Sequence, residues 1–246
     1  MSNFKSDKRI SNEIEHGKFL AGNGAGEIWN WESPAGQVRW KRRVTMLTSS
    51  IKPNSNVLEI GCGTGYFTKE IVKTKAKICA IDISEDLISI ARNEINDENI
   101  EFKIENAYEM TYPDNTFDFV IGSSVLHHLE MDKSVSEIYR VLKPGGAIFF
   151  TEPNMMNPQI AIQKNISYIK KKSGDSPDET AFFRWTLKAK LKKCGFININ
   201  IKPFDFLHPA VPMKLVRPVN ALGLLFEKIP LLKEIAGSLF IRAVKY

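Results

Sequence analysis

A run of closely spaced glycines offers the clearest chemistry in this chain. In Val57-Leu58-Glu59-Ile60-Gly61-Cys62-Gly63-Thr64-Gly65-Tyr66-Phe67-Thr68, an apolar strand-like run passes through a glycine-rich turn directly into a helical pattern. Glycine there lets the backbone turn tightly and lets a ligand lie against it with no Cβ in the way. The helix start that follows supplies free N–H groups suited to a carboxylate or phosphate. A dinucleotide fingerprint needs glycine or alanine where this chain has Tyr66, which argues against NAD and FAD. Asp82 ends the next apolar run, Ala80-Ile81-Asp82-Ile83-Ser84, where a carboxylate can accept hydrogen bonds from both hydroxyls of a ribose. His127 and His128 follow a third apolar run, and imidazole titrates near neutrality, so either could take a proton from an oxygen or nitrogen. Cys62 sits in the turn as a filler of a small apolar space, not as a nucleophile.

Taken in order, these features resemble one family. Glu59 precedes Gly61-x-Gly63-x-Gly65; Asp82, Glu105-Asn106-Ala107, the segment Phe117 to Leu129 and Pro144-Gly145-Gly146 follow. The chain is similar to the class I S-adenosylmethionine-dependent methyltransferases, in particular the small-molecule, type 11-like methyltransferase domain. That resemblance implies S-adenosyl-L-methionine as cofactor. It implies a cofactor site of Glu59, Gly61, Cys62, Gly63, Gly65, Asp82, Ile83, Asn106, Ala107, Ser123 and Arg39. Asp82 would hold the ribose and Ile83 would lie against the adenine. Asn106 stands where relatives carry Asp, and its carbonyl oxygen would still accept from the adenine amino group. Ser123 to His128 lie beyond a strand's carboxyl end and would face the reactive end of the cofactor. Trp29, Trp31, Gly36, Arg39 and Arg43 would form a lid, with an arginine pairing with the cofactor's carboxylate. No metal site is expected. His128, then His127, are the candidate catalytic bases, although Leu-His-His-Leu also serves as packing or cofactor contact in relatives with different acceptors.

The implied reaction transfers a methyl group, by in-line displacement, to an O, N or C atom of a small or lipid-like acceptor. The segment Phe204 to Ile235 is apolar, with Lys214, Arg217 and Lys228 interleaved, and reads in two ways. It is either a pocket for an apolar or amphipathic acceptor, open to peripheral membrane contact, or a helical cap packed on the sheet. Two other functions stay open: an RNA or protein methyltransferase, and a cofactor-binding regulatory protein without transfer activity. Amino-directed nucleic-acid enzymes carry a polar residue, Pro-Pro and an aromatic after the fourth strand. Ser123-Ser124-Val125-Leu126 stands there instead and argues against nucleic acid.

The elements that must place these residues can be read from the pattern. Short apolar runs at 57–60, 78–81, 117–121 and 147–150 alternate with helical stretches at 66–73, 84–95 and 133–142. Apolar strands alternating with helices predict a Rossmann-like α/β fold: a seven-stranded, mostly parallel sheet, helices on both faces and a small helical cap or lid. Residues 1–50 are expected to be lid helices and 51–152 the cofactor-binding core. Residues 153–246 would complete the same domain, with cap insertions at 153–185 and 203–236. A helix at 187–193 and strands at 196–201 and 238–244 fall in that last part. The formal net charge is +6, but the basic residues are spread apart from Lys170-Lys171-Lys172, so the excess reads as solubility and not as a nucleic-acid face. Three scattered cysteines, a polar start from Met1 to Arg9 and the lack of a long apolar run lead to the expectation of a cytoplasmic protein.

Overall fold

A computed structural model describes residues 8–24 and 30–246. The strands are β1 (Asn56–Ile60), β2 (Lys77–Asp82), β3 (Ile100–Ile104), β4 (Phe117–Ser123), β5 (Leu142–Pro153), β6 (Phe196–Phe204) and β7 (Ser238–Lys245). They form one seven-stranded sheet in the order β3-β2-β1-β4-β5-β7-β6. The first five are parallel, and β7 runs antiparallel between β5 and β6. The central strands are apolar on both sides because helices cover both faces. On one face Leu58, Val120, Ile148 and Phe150 pack with Val135, Ile138, Leu187 and Leu191. On the other, Val57, Ile78, Ile121 and Phe149 pack with Leu47, Ile88 and Ala91. The predicted sheet and its covering helices are present.

Local chemistry explains where the helices begin and end. Helix Glu85–Glu94 is capped by Ser84, whose side chain accepts from Leu87 N–H, and Glu85 and Asp86 lie in its first turn. Helix Met131–Val141 is capped by Glu130 and buries Met131, Ser134, Val135, Ile138 and Val141 along one stripe. The helix expected at 66–73 is shorter: an α-turn, Thr68–Ile71, runs into a 3₁₀ turn, Val72–Thr74. Lys75, in the left-handed region at φ 60°, then stops it. The turn expected at Pro144-Gly145-Gly146 is instead taken into β5. Pairing with β4 slips there, from Phe117 opposite Leu142 to Phe119 opposite Ala147, and Gly145 adopts φ +77°.

The N-terminal part forms helix Lys8–Asn23 and helix Pro34–Thr48, the latter started by Ser33 and Pro34. Both fall within residues 1–50, expected to be helical, although no bounds were drawn for the first. Trp29 of the expected lid lies outside the described residues. Helices Pro158–Asn165, Ser167–Lys172 and Met213–Phe226 fall within the expected insertions 153–185 and 203–236, and the first lines the cavity with Gln159, Ile160, Gln163 and Lys164. Among the described residues no helix is long and apolar enough to cross a membrane. β1 has β2 on one side and β4 on the other, so the chain direction of winding reverses there. The loops after β1, β2 and β4 converge on that point, where open α/β sheets hold their ligands.

Candidate active site

A cavity of about 530 Å³ opens above the switch point. Gly61, Cys62, Gly63, Asp82, Ile83, Asn106, Ala107, Ser123, Arg39, His127 and His128 all line it. The turn after β1 is fixed by Gly61 N–H and Cys62 N–H, which both donate to Ile81 O at 2.8 and 3.0 Å. Gly61 has φ +67°, and a Cβ there would sit 2.4 Å from Val125 Cγ2, so both conformation and contact demand glycine. Gly63 N–H and Ser84 N–H each donate to Asp82, to Oδ2 and Oδ1, at 2.9 Å. Burial pushes the Asp82 pKa up against the pull of those two N–H groups. Each carboxylate oxygen keeps a free lone pair for a further donor.

Glu59 and Gly65 do not face the cavity. Glu59 is 3% exposed and accepts from Thr68 Oγ1 at 2.6 Å, which ties the strand end to the helix start. Burial, with a contribution from the Asp82 charge and against the Thr68 bond, pushes its pKa up to about 8. Gly65 packs on Ile95 and Ala91. The Asn106 carbonyl oxygen accepts from Tyr108 N–H at 3.0 Å and so shapes its own loop. Burial also raises the Cys62 thiol well above its usual pKa, which suits a filler and not a nucleophile.

The histidines occupy opposite roles in one buried network. His127 is 5% exposed, and its Nδ1 lies 2.7 Å from Glu152 Oε2. Glu152 also accepts from Val125 and Leu126 N–H at 3.0 and 2.8 Å, so it needs a donor from the ring. This assigns the His127 proton to Nδ1 and leaves Nε2 as the lone pair. Burial, aided by the His128 charge, lowers the His127 pKa. His128 Nδ1 lies 2.8 Å from Glu13 Oε2, off the ring's hydrogen-bonding direction, and 3.6 Å from Glu179 Oε1. Burial pulls its pKa down, but Glu13, Glu179 and Glu152 outweigh that, and the net shift is upward. Glu179, buried, also pairs with Lys164, which in turn bonds Asp175 at 2.8 Å. Its pKa falls despite burial because His128, His127 and Lys164 surround it. Ligand-type atoms of His127, His128 and Glu179 fall within 4.8 Å of one another. Lys164 pairs with the Glu179 carboxylate, and Glu13 lies against the His128 imidazole.

Arg39 lines the cavity but is engaged: its Nε donates to Asp205 Oδ2 at 2.8 Å. Arg43, 3% exposed, shares Asp205 at 2.7 Å and donates to Ser238 Oγ, and both arginines lie over Trp31. Burial lowers the Arg43 pKa to about 10 against the pull of Asp205. The lid helix is therefore fastened to the end of β6. Asn154 donates to Glu234 O and Ala236 O, and Arg184 pairs with Glu234.

Sequence reasoning missed Glu13, His16, Lys164, Asp175 and Glu179, which all line the cavity. Glu13 and His16 carried a usable signal: they share a helical face with Ile10, Gly17 and Leu20, which are buried. Lys164, Asp175 and Glu179 carried none, since only tertiary packing brings them to the histidines.

Residues 58–150 match the family model described as a methyltransferase domain. Over 121 residues the chain is 40% identical to a ubiquinone/menaquinone biosynthesis C-methyltransferase UbiE from Hydrogenovibrio crunogenus, covering 46% of this chain and 47% of that protein. Over 135 residues it is 34% identical to a demethylmenaquinone methyltransferase from Symbiobacterium thermophilum, covering 51% and 53%. The chain thus matches about half the length of these curated relatives. Among solved structures, the N-methyltransferase NodS from Bradyrhizobium japonicum, in complex with S-adenosyl-L-homocysteine, superposes with a TM-score of 0.66. It has 16% identity and covers 95% of this chain and 98% of that one. Phosphoethanolamine N-methyltransferase 2 from Haemonchus contortus superposes at 0.64 with 19% identity, covering 94% and 60%.

Proposed function

We propose that this class I methyltransferase fold is an active S-adenosylmethionine-dependent enzyme that methylates an oxygen, nitrogen or carbon of a small, amphipathic or lipid-like acceptor. One observation carries the reading: a single cavity runs from the bare turn at Gly61–Gly63 and the buried Asp82 to a carboxylate-backed histidine pair. Its volume suits a small organic ligand. The residues fit the cofactor: Asp82 has a spare lone pair on each oxygen for the ribose, Gly61 to Gly63 present main chain, and Ile83 and Ala107, which line the cavity, would hold the adenine. When bound, the cofactor supplies a methyl group activated by the positive sulfur.

His128 accepts the acceptor's proton. Glu13 and Glu179 raise its proton affinity, and Glu152 holds His127 against it, the two rings 4.2 Å apart. The pocket beyond is polar near the histidines, where Gln163, Lys164 and Asp175 lie. It is apolar toward Ile160, Phe206 and Leu207. An acceptor with a polar reacting end and an apolar body fits that division.

The test has two arms. Asp82→Ala is expected to weaken cofactor binding, read by calorimetry, by at least about tenfold, since buried ribose hydroxyls lose their partner. Unchanged affinity would remove the ribose role. Methyl-tritiated cofactor incubated with the protein and a metabolite extract should label an organic-soluble product. Labelled RNA would replace the acceptor class, and binding without any transfer would make the chain a regulatory protein.

A further inference from the structure

Helix Met213–Phe226 is more apolar than its packing requires. Only Val216 and Gly223 are buried, while Met213, Leu215, Leu222, Leu224 and Leu225 are 42–74% exposed. Leu231, just beyond, is 87% exposed. Helices Pro158–Asn165 and Ser167–Lys172 bury no residue; Ile162 and Tyr168 on them, and Ile166 between them, are exposed. The segments that carry the two apolar sets are joined beside the cavity mouth, which we take as one rim. Gln159 Nε2 meets His208 Nε2 at 2.9 Å, Asn157 Nδ2 donates to Ile235 O at 2.9 Å, and Gln159 and His208 line the cavity.

The charges on this rim are one-sided. Glu227 is held by Arg42 at 2.5 Å and Glu234 by Arg184 at 2.6 Å. Lys214, Arg217, Lys228 and Lys233 have no ion pair among the described residues, and Lys171 and Lys172 add to them. Exposed leucines set among unpaired cations match a surface with apolar depth beneath an anionic layer. A second copy of this chain fits poorly, because a two-fold face would set these cations against each other.

We infer that this rim is a seat for an anionic lipid bilayer, with helix Met213–Phe226 lying in the interface and the cavity opening beside it. The seat stands independently of the reaction. That the bilayer delivers the amphipathic acceptor to His128 rests on the proposed methyl transfer.

Flotation of the full chain with phosphatidylglycerol-rich and with pure phosphatidylcholine vesicles tests the seat. The protein should float with the anionic vesicles, about tenfold more weakly with neutral ones, and high salt should weaken the binding. A Leu222→Glu, Leu225→Glu double variant, altered at exposed positions, should keep its circular dichroism and cofactor affinity yet lose at least about tenfold in vesicle binding. Wild-type protein that ignores both vesicles, or a variant that binds like wild type, overturns the seat. A dimer in sedimentation that the variant dissociates, without vesicle binding, assigns the face to a second copy and overturns it too. Cofactor calorimetry on the same samples keeps the two proposals apart: vesicle binding without cofactor binding sinks only the reaction, and the reverse sinks only the seat.

Discussion

Two acids and one histidine pair set the pH behaviour expected of the site. His128 has a folded pKa above its ordinary 6.5, with burial opposing and Glu13 and Glu179 prevailing. The stabilisation from that contact is full below about pH 6.5 and fades as pH rises through the higher folded value. Activity runs the other way, since the base must be neutral to accept a proton. We expect kcat/KM to rise with pH through a midpoint above 6.5. Glu13→Gln should move that midpoint down, and an unmoved midpoint would detach Glu13 from the base. His128→Ala should lower kcat by about 100-fold or more with cofactor affinity nearly unchanged; equal losses in both would make it a binding residue. Glu59 gives a separate signal in stability. Its folded pKa near 8 exceeds the ordinary 4.5, so the folded chain holds a proton the unfolded chain releases, and stability falls as pH climbs between those values. Glu59→Gln should match wild type in melting temperature near about pH 5 and exceed it by several degrees at about pH 8. Parallel melting curves would contradict a buried, protonated Glu59.

Among the elements, helix Lys8–Asn23 supplies one wall of the cavity, with Ile10, Glu13, His16, Gly17 and Leu20 lining it. Gly17 lets it touch helix Glu85–Glu94: a Cβ there would lie 2.5 Å from both Cβ and Oγ of Ser84. Gly17→Ala should lift the helix, weaken cofactor binding about tenfold and speed amide exchange across residues 8–23, with the sheet unaffected. Gly22→Ala, with open space around it, serves as the control and should be neutral or slightly stabilising. Normal exchange in Gly17→Ala would deny the helix this role. The same helix marks the limit of what the sequence disclosed. β1, β2 and β4 were legible because strands covered on both faces become unbroken apolar runs ended by Gly or Asp. The glycine turn and Asp82 were legible because backbone shape and a lone carboxylate after a strand leave few alternatives. The bounds of Lys8–Asn23, inside the lid helices expected at 1–50, were not, since a polar exposed face and a buried stripe of only Ile10, Gly17 and Leu20 dilute its periodicity. Glu179 and Lys164 were invisible for another reason: a contact made only by folding distant segments together leaves no spacing in the chain. Arg39 lines the cavity, but its pairing with Asp205 could not be foreseen, because Asp205 lies 166 positions away.

Across the whole molecule, the cavity wall is assembled from both ends of the chain around one parallel sheet. Its floor comes from the strand ends, one side from helix Lys8–Asn23 and the rim from the segments around 158–175 and 205–209. The net charge of +6 is not spread evenly over this plan, since the unpaired cations of the cap lie beside its exposed leucines. The placement of Glu13 ties the two ends of the cavity together. A bound ligand that displaced Glu13 from His128 would remove one of the three carboxylates that raise the imidazole pKa and leave Glu179 and Glu152 in place. The ring would register that displacement as a fall in its proton affinity. Following its NMR titration as cofactor is added reads whether Glu13 moves, with no acceptor needed.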